Sequence, residues 1–454
     1  IILNIVFKNC LLLLYVTDIM DPKRAENLTP MFEPTTCIRG LKLKNRVVFA
    51  PSTRWLTPNG IPSNSTTGSM AEYYGKRANI ALQVTEGVYM NVKGGIPHQD
   101  AAVFYGDALK DWKETVTAVH RHNGLIVPQI HHVGIQTRAT PDNPVASPSG
   151  ISLKGKKVKN CDPMTNSEIQ DFRKAYLQAA LDAKAIGFDG VAIHAAHGYL
   201  MHQFLWETTN RRLDRYGGSD ENRRRFLKEV VEDIRTALPE YPIILRFSLF
   251  PPRHGDGPYS TVKKLREFLL DMVTAGVDCF DCSTTQFWQV PYPEEHPTRS
   301  LAGWTELLSG KPAMAGGCVG MNISNGPTPS YITDVADYTG SFDASCIDRL
   351  EDLSNRLKEG EFSLCFVSRA VIADAEFVPK VQQGRFDELT TEYNRETLMK
   401  WIEGNHAVNG EEYKFVKPVD KDGKPIRNIE EAKKNGTRIF YPQTVKEEYW
   451  SSKI

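Results

Sequence analysis

From about residue 45 onward, short apolar runs alternate along the chain with amphipathic stretches. This alternation is typical of parallel strands that are covered by helices. The runs predicted as strands are Val47–Ala50, Ile80–Thr85, Leu125–Gln129, Gly190–His194, Ile243–Phe247, Val277–Cys282, Pro312–Ala315 and Leu364–Val367. Eight such repeats predict an α/β fold, a closed (β/α)8 TIM barrel, in which chemistry is carried at the carboxyl ends of the strands.

Two local patterns refine this prediction. Thr165 and Glu168 are spaced as a capping box at the start of a helix, and Gly187 can end the same helix. Pro128 is unusual inside the third strand, because proline cannot donate a hydrogen bond to a neighbouring strand.

Three parts are predicted along the chain of 454 residues. Residues 1–31 form an N-terminal extension, in which the segment before Met20 is interpreted as translated upstream sequence that is not native. Residues 32–390 form the barrel, and residues 391–454 form a charged C-terminal extension that packs on or trails from it. The turn-rich stretch between Cys318 and Leu364 is predicted as an insertion between strands 7 and 8, either a lid or partner surface or a tolerated surface loop.

Composition and charge indicate a small-molecule ligand. Apolar residues make up 41% of the chain and charged residues 24%, which is typical of a soluble globular enzyme. Lys plus Arg and Asp plus Glu both number 55, so no net field attracts nucleic acid or an anionic membrane. The eight cysteines are scattered as in a protein of a reducing compartment, so a cytoplasmic location is predicted, and a monomer and a homo-oligomer are both left open.

The segment HAAHGY places His194, His197 and Tyr199 directly after the fourth strand. Two imidazoles can donate hydrogen bonds to one oxygen, and a nearby phenol can deliver a proton. This pattern suits a substrate with an activating carbonyl group. A pair of structural histidines is one alternative, and a metal site that adds His202 is another, although no carboxylate lies at a usual ligand spacing.

Other polar residues are predicted at the same end of the barrel. Arg246 lies in an apolar strand, and a buried guanidinium requires either an anionic ligand or an ion pair with a neighbouring strand. Gln129 ends the third strand and Thr53 follows the first. Barrels commonly bind phosphate on backbone N–H groups after strands 7 and 8, where the candidates are Gly316, Gly317, Ser368 and Arg369.

Two adjacent motifs resemble the Old Yellow Enzyme family of FMN-dependent ene-reductases. They are DGVAIHAAHGYLMHQFL at 189–205 and TNRRLDRYGGSDENRRRF at 209–226. Shorter matches are NRVVFAPSTR at 45–54, TEG at 85–87, PQIHHVGIQT at 128–137, PVASPS at 144–149 and SRAVIADAEFV at 368–378. The resemblance covers roughly residues 32–385 and implies an FMN-dependent oxidoreductase with NADPH or NADH as reductant.

The resemblance also implies a role for each candidate residue. His194 and His197 would bind the substrate carbonyl oxygen, and Tyr199 would protonate the α carbon. The residues implied to bind FMN are Pro51, Ser52 and Thr53 against the ring, Gly87 and Gln129 at its polar edge, His194 nearby, Arg246 at N1 and O2, and Gly316, Gly317, Ser368 and Arg369 at the phosphate.

The implied reaction is ping-pong. NAD(P)H reduces FMN and leaves, and an α,β-unsaturated carbonyl compound then receives hydride at its β carbon. A single pocket for both substrates agrees with the absence of a GxGxxG fingerprint from the sequence. Trp206, Glu207, Ser368 and Ala375 depart from the family's usual residues. A metal-dependent TIM-barrel hydrolase and a non-catalytic flavin-binding protein are the alternative functions, and no metal is expected under the flavin hypothesis.

Overall fold

The computed structural model describes residues 22–53, 57, 60–62, 69–95, 101–137, 144–249, 256–320, 322–323, 340–341, 344–389 and 392–393. The chain divides into two compact units, Ile1–His406 and Ala407–Ile454. The second unit, the segment before Met20 and most of the predicted insertion lie outside the described residues.

Eight parallel strands form a closed barrel, which confirms the predicted (β/α)8 fold. In chain order they are β1 (Val47–Phe49), β2 (Leu82–Tyr89), β3 (Ile126–His131), β4 (Val191–Ala195), β5 (Ile243–Phe247), β6 (Cys279–Ser283), β7 (Ala313–Gly316) and β8 (Leu364–Val367). Each strand pairs with the next, and β8 closes the barrel on β1. Two-residue strands at 322–323, 340–341 and 392–393 form a separate antiparallel sheet.

The strands β2 and β3 both extend beyond their predicted ends. Tyr89 pairs with His131 at the carboxyl ends, so the two strands support each other there. The register between them shifts between Val84 and Gly87, which face Val127 and Gln129. Pro128 lies opposite this irregularity, where a missing backbone donor is tolerated.

The helices lie between and after the strands. They are α1 (Pro22–Asn27), α2 (Thr29–Phe32), α3 (Met70–Gly75), α4 (Ala108–His120), α5 (Asn166–Ile186), α6 (Leu200–Leu205), α7 (Asp220–Ala237), α8 (Val262–Ala275), α9 (Leu301–Ser309), α10 (Ala344–Lys358), α11 (Arg369–Ala373) and α12 (Phe377–Gln382). Single 3₁₀ turns span Gly134–Gln136 and Phe386–Glu388. Within the described part of the chain, none of the helices is long and apolar enough to cross a membrane.

The predicted boundaries of α5 are confirmed. The Glu168 backbone N–H donates to Thr165 Oγ1 at 3.1 Å, and the Thr165 N–H donates to Glu168 Oε2 at 2.7 Å, which completes the capping box. Gly187 ends the helix with a φ of 99°. That left-handed conformation favours glycine.

Alternate residues of the strands belong to two different apolar cores. Ile193 and Leu245 pack in the large core between strands and helices. Ala192 and Ile244 pack in a smaller core, which fills the interior of the barrel. Because side chains two residues apart share a face of a strand, His194 and Arg246 project on the interior side, at the carboxyl end.

Candidate active site

The end of β4 and the loop that follows it bring the three predicted catalytic rings together. His197 has a φ of 60° and Gly198 a φ of 72°, so two successive left-handed residues turn the chain sharply before Tyr199, the N-cap of α6. The ring centroid of His194 lies 4.9 Å from that of His197 and 5.0 Å from that of Tyr199. The three side chains that the sequence singled out therefore lie next to each other.

Hydrogen bonds hold both histidines in defined orientations. His194 Nδ1 accepts from the Ala196 N–H at 3.1 Å. His197 Nε2 lies 2.7 Å from Ser283 Oγ, and its backbone N–H donates to Ser248 Oγ at 3.1 Å.

Both imidazoles are neutral at neutral pH. Burial is the main cause that holds the pKa of each ring well below its ordinary value. The neighbouring His197 adds to the effect on the pKa of His194, and the charge of Arg246 adds to the effect on the pKa of His197. A neutral imidazole donates from one nitrogen only, so each of these rings can donate at most one hydrogen bond.

Arg246 forms an ion pair with a neighbouring strand, which is one of the two possibilities raised by the sequence. Its Nη1 lies 2.9 Å from Asp281 Oδ2, and the two side chains are only 8% and 3% exposed. Its Nη2 donates to Ser283 Oγ at 3.2 Å, and its guanidinium lies 5.1 Å from the centroid of the Phe366 ring. Burial raises the pKa of Asp281 and the adjacent charge of Arg246 opposes this rise.

The ion pair leaves two buried polar atoms without a partner. Among the described residues, Arg246 Nε and Asp281 Oδ1 have no hydrogen-bond partner, and the same is true of Gln129 Nε2. Gln129 is 3% exposed, and its backbone N–H donates to Thr85 Oγ1 at 3.1 Å. Unpaired buried donors are costly, so their presence at the barrel mouth favours a polar ligand there.

His131 also belongs to this cluster, and the sequence had not identified it. Its Nε2 lies 2.8 Å from the Tyr89 hydroxyl, and its ring is stacked on Tyr199 at 5.5 Å with an interplanar angle of 8°. Burial lowers the pKa of His131 to about 3. The third strand had been predicted to end at Gln129, so the signal that was missed is the two-residue spacing of Gln129 and His131.

Gly87 and Gly316 each leave room for a neighbouring ring. A Cβ on Gly87 would lie 1.7 Å from His131 Cε1, and a Cβ on Gly316 would lie 2.1 Å from Phe366 Cε2. Gly317 has a φ of 114°, and a Cβ there would lie 2.5 Å from the Thr284 carbonyl oxygen. Glycine is therefore required at all three positions by packing or conformation.

The remaining predicted residues also follow the barrel strands. Pro51, Ser52 and Thr53 follow β1 after one intervening residue, and Ser52 Oγ lies 2.6 Å from Ser368 Oγ. Ser368 follows β8 and is the N-cap of α11, whose first residue is Arg369. The structure thus brings the ends of β1 and β8 together through two hydroxyl groups.

The histidines do not form a metal site in the described part of the chain. No group of three His, Cys, Asp or Glu side chains gathers there in a way that could hold a metal ion. His202, the third ligand considered from the sequence, accepts from the Gly198 N–H at 3.1 Å through its Nδ1.

Comparison with known proteins identifies the family. Residues 30–294 match the model of the NADH:flavin oxidoreductase / NADH oxidase family. The NADPH dehydrogenase of Halalkalibacterium halodurans is 33% identical over 262 residues, which are 56% of this chain and 73% of that protein. The 12-oxophytodienoate reductase 7 of Oryza sativa subsp. japonica is 33% identical over 245 residues, 50% of this chain and 60% of that protein.

Solved structures show the same fold. Morphinone reductase in complex with tetrahydroNAD superposes with a TM-score of 0.64 at 24% identity, covering 81% of this chain and 93% of that one. Old Yellow Enzyme from Pichia sp. AKU4542 gives a TM-score of 0.62 at 23% identity, covering 82% and 90%.

The family match includes β1 to β6 and the segment from His194 to Tyr199, so the resemblance to the Old Yellow Enzyme family is confirmed. The chain belongs to the NADH:flavin oxidoreductase / NADH oxidase family and is an FMN-dependent enzyme that takes its reducing equivalents from a nicotinamide.

Proposed function

We propose that this enzyme reduces the C=C bond of α,β-unsaturated carbonyl compounds by a ping-pong mechanism, with NADPH or NADH as reductant. The observation that carries the proposal is the cluster of two neutral imidazoles and one phenol at the barrel mouth. One relative is named a 12-oxophytodienoate reductase, and that name describes reduction of a compound with an oxo group.

The residues at the barrel mouth fit FMN. Gln129 Nε2 and Arg246 Nε are buried donors without a partner among the described residues, and a flavin offers acceptors to both. Arg246 would face N1 and O2 of the ring. The other residues proposed to hold FMN are Pro51, Ser52 and Thr53 against the ring, Gly87 and His194 at its edge, and Gly316, Gly317, Ser368 and Arg369 at the phosphate.

Bound FMN supplies hydride transfer, from the nicotinamide and then to the β carbon of the enone. His194 donates to the carbonyl oxygen from Nε2, because its Nδ1 already accepts from Ala196. His197 provides the second donor, and each polarising donor contributes about 10²–10³-fold.

Tyr199 delivers the proton to the α carbon. Its ring stacks on His131, which is itself held by Tyr89, so the phenol is oriented by packing before the substrate binds. A positioned proton donor contributes about 10²–10⁴-fold to the rate.

The test separates the two half-reactions. Tyr199→Phe is expected to leave reduction by NADPH nearly unchanged and to slow reoxidation by an enone by about 10²–10⁴-fold in stopped-flow measurements. Tyr241→Phe is a matched control, since the Tyr241 hydroxyl donates to the Phe188 carbonyl away from the rings. Equal effects of Tyr199→Phe on both half-reactions would remove its role as proton donor. A colourless protein that cannot be reconstituted with FMN would refute the proposal as a whole.

The alternatives considered from the sequence have less support. A metal-dependent hydrolase lacks a three-ligand group in the described residues, and family membership favours turnover over a flavin protein without catalysis. We also propose that the ligand is a small-molecule enone and that the protein is cytoplasmic. The division of the chain into an N-terminal extension (1–31), the barrel (32–390) and a C-terminal extension (391–454) is likewise a proposal.

A further inference from the structure

We propose that Ser283 is a positioning residue, which fixes the nitrogen on which His197 carries its ring proton and so makes Nδ1–H its hydrogen-bond donor. The catalytic meaning of this inference rests on the proposed function, in which His197 polarises the substrate carbonyl. The protonated nitrogen itself can be measured without any substrate.

Ser283 lies between Arg246, which is proposed to face the flavin, and His197, which is proposed to bind the substrate carbonyl. It is the last residue of β6, two positions after Asp281, so both side chains project to the interior of the barrel. Ser283 Oγ is 3.2 Å from Arg246 Nη2 and 2.7 Å from His197 Nε2. A chain of hydrogen bonds therefore runs from Asp281 through Arg246 and Ser283 to His197.

The direction of each bond follows from the chemistry of the groups. A guanidinium only donates, so Ser283 Oγ accepts from Arg246. The Ser283 hydroxyl has one hydrogen to donate. Among the described residues, His197 Nε2 is the only acceptor for it. That hydrogen therefore points to Nε2, and Nε2 must be the unprotonated nitrogen of a neutral ring. A hydroxyl polarised by a cation is also the stronger donor.

A neutral His197 ring carries its single proton on either Nδ1 or Nε2, so the position of that proton has to be determined. Burial, together with the charge of Arg246, keeps the pKa of the His197 ring well below its usual value. A cationic ring would carry protons on both nitrogens and would need no hydroxyl to select one of them.

His194 provides an internal comparison. Its Nδ1 accepts from the Ala196 backbone N–H, so its proton is on Nε2. The two histidines thus carry their protons on opposite nitrogens, and only that of His197 is set by a side chain. A substitution at Ser283 should change the tautomer of His197 and leave that of His194 as it is.

The direct test is long-range ¹H–¹⁵N correlation NMR of the FMN-loaded protein labelled with [¹⁵N]histidine, with His197 assigned through His197→Asn. In the wild-type protein we expect His197 to be protonated at Nδ1 and unprotonated at Nε2. Ser283→Ala is expected to give a mixture of tautomers, and Ser283→Thr, which keeps a hydroxyl, to restore the wild-type pattern. Protonation at Nε2 in the wild-type protein would overturn the proposal even if the variants failed to fold, and an unchanged His197 in Ser283→Ala would do the same.

Kinetics test the consequence. Ser283→Ala is expected to slow reoxidation by an enone by about 10-fold, the size of one hydrogen bond. Ser283→Thr should recover most of the rate, and equal reoxidation rates in wild type and Ser283→Ala would contradict the positioning role. If the enzyme reduced no enone at all, the proposed function would be wrong. The NMR measurement of the His197 tautomer would still show whether Ser283 positions the ring proton.

Discussion

The close packing of His131 on Gly87 gives a prediction that can be worked out from distances. A methyl group added by Gly87→Ala would lie 1.7 Å from His131 Cε1 and 2.1 Å from His131 Nδ1. Ordinary contacts between carbon atoms are about 3.5–4.0 Å, so the ring must move by roughly 2 Å. His131 is only 3% exposed and its ring contacts those of Tyr89, His194 and Tyr199, so a shift of His131 disturbs the packing of these rings.

The expected cost has two parts. Overpacking of a buried site costs about 1–3 kcal/mol. Moving the ring also breaks the 2.8 Å hydrogen bond between His131 Nε2 and the Tyr89 hydroxyl, which adds about 0.5–1.5 kcal/mol. We therefore expect Gly87→Ala to lower the free energy of unfolding by about 1.5–4.5 kcal/mol. The displaced ring should also carry Tyr199 out of position and slow enone reduction.

The assay is chemical denaturation at two FMN concentrations, which separates a loss of protein stability from a loss of FMN affinity. Gly75→Ala is the matched control, since its Cβ would have its nearest neighbour at 3.5 Å, an ordinary van der Waals contact. In Gly87→Ala/His131→Ala the clash is absent, so the double variant should be more stable than the sum of the single costs predicts. Additive costs, or a Gly87→Ala variant as stable as wild type, would refute the packing argument.

Two further predictions concern buried charge. Arg246→Met should lower the free energy of unfolding by about 3–5 kcal/mol because it leaves the Asp281 carboxylate buried without its cation. Adding Asp281→Leu should restore most of that loss in the same denaturation assay, and a double variant no more stable than Arg246→Met would count against it. Burial lowers the pKa of His132 from 6.5 to about 4, so this residue should contribute a loss of stability of up to about 1.4 kcal/mol per pH unit as the pH drops below about 6.5, because the unfolded chain binds a proton there that the folded ring does not. His131, His194 and His197, whose pKa values are also lowered by burial, add to the same slope. His132→Gln should therefore reduce the slope between about pH 6.5 and about pH 4 by up to about 1.4 kcal/mol per pH unit, and an unchanged slope in that variant would contradict the contribution of His132.

Much of the fold could be predicted because its signals are local. The apolar runs located all eight barrel strands, and Thr165, Glu168 and Gly187 placed both ends of α5. The strand ends were less predictable. The strand β3 continues past Gln129 because its end pairs with that of β2, and pairing between distant segments leaves no signal in either one alone.

The site was predictable where its residues are close together in the sequence. His194, His197 and Tyr199 were found because they fall within six residues of each other in the sequence. Ser283 and Asp281 were missed because their importance comes from Arg246 and His197, which are on other strands. A serine at the end of an apolar strand has no distinguishing pattern, and only the three-dimensional structure shows its partners.

Arg246 shows why alternatives drawn from the sequence need not exclude each other. An ion pair with a neighbouring strand and a ligand in the mouth were considered as competing explanations for one buried charge. A guanidinium has five N–H donors arranged as a fork, so one partner rarely uses them all. Here Nη1 bonds to Asp281 and Nη2 to Ser283, while Nε has no partner among the described residues. The ion pair therefore accounts for the burial of the charge, and the N–H on Nε still requires an acceptor, which FMN would provide.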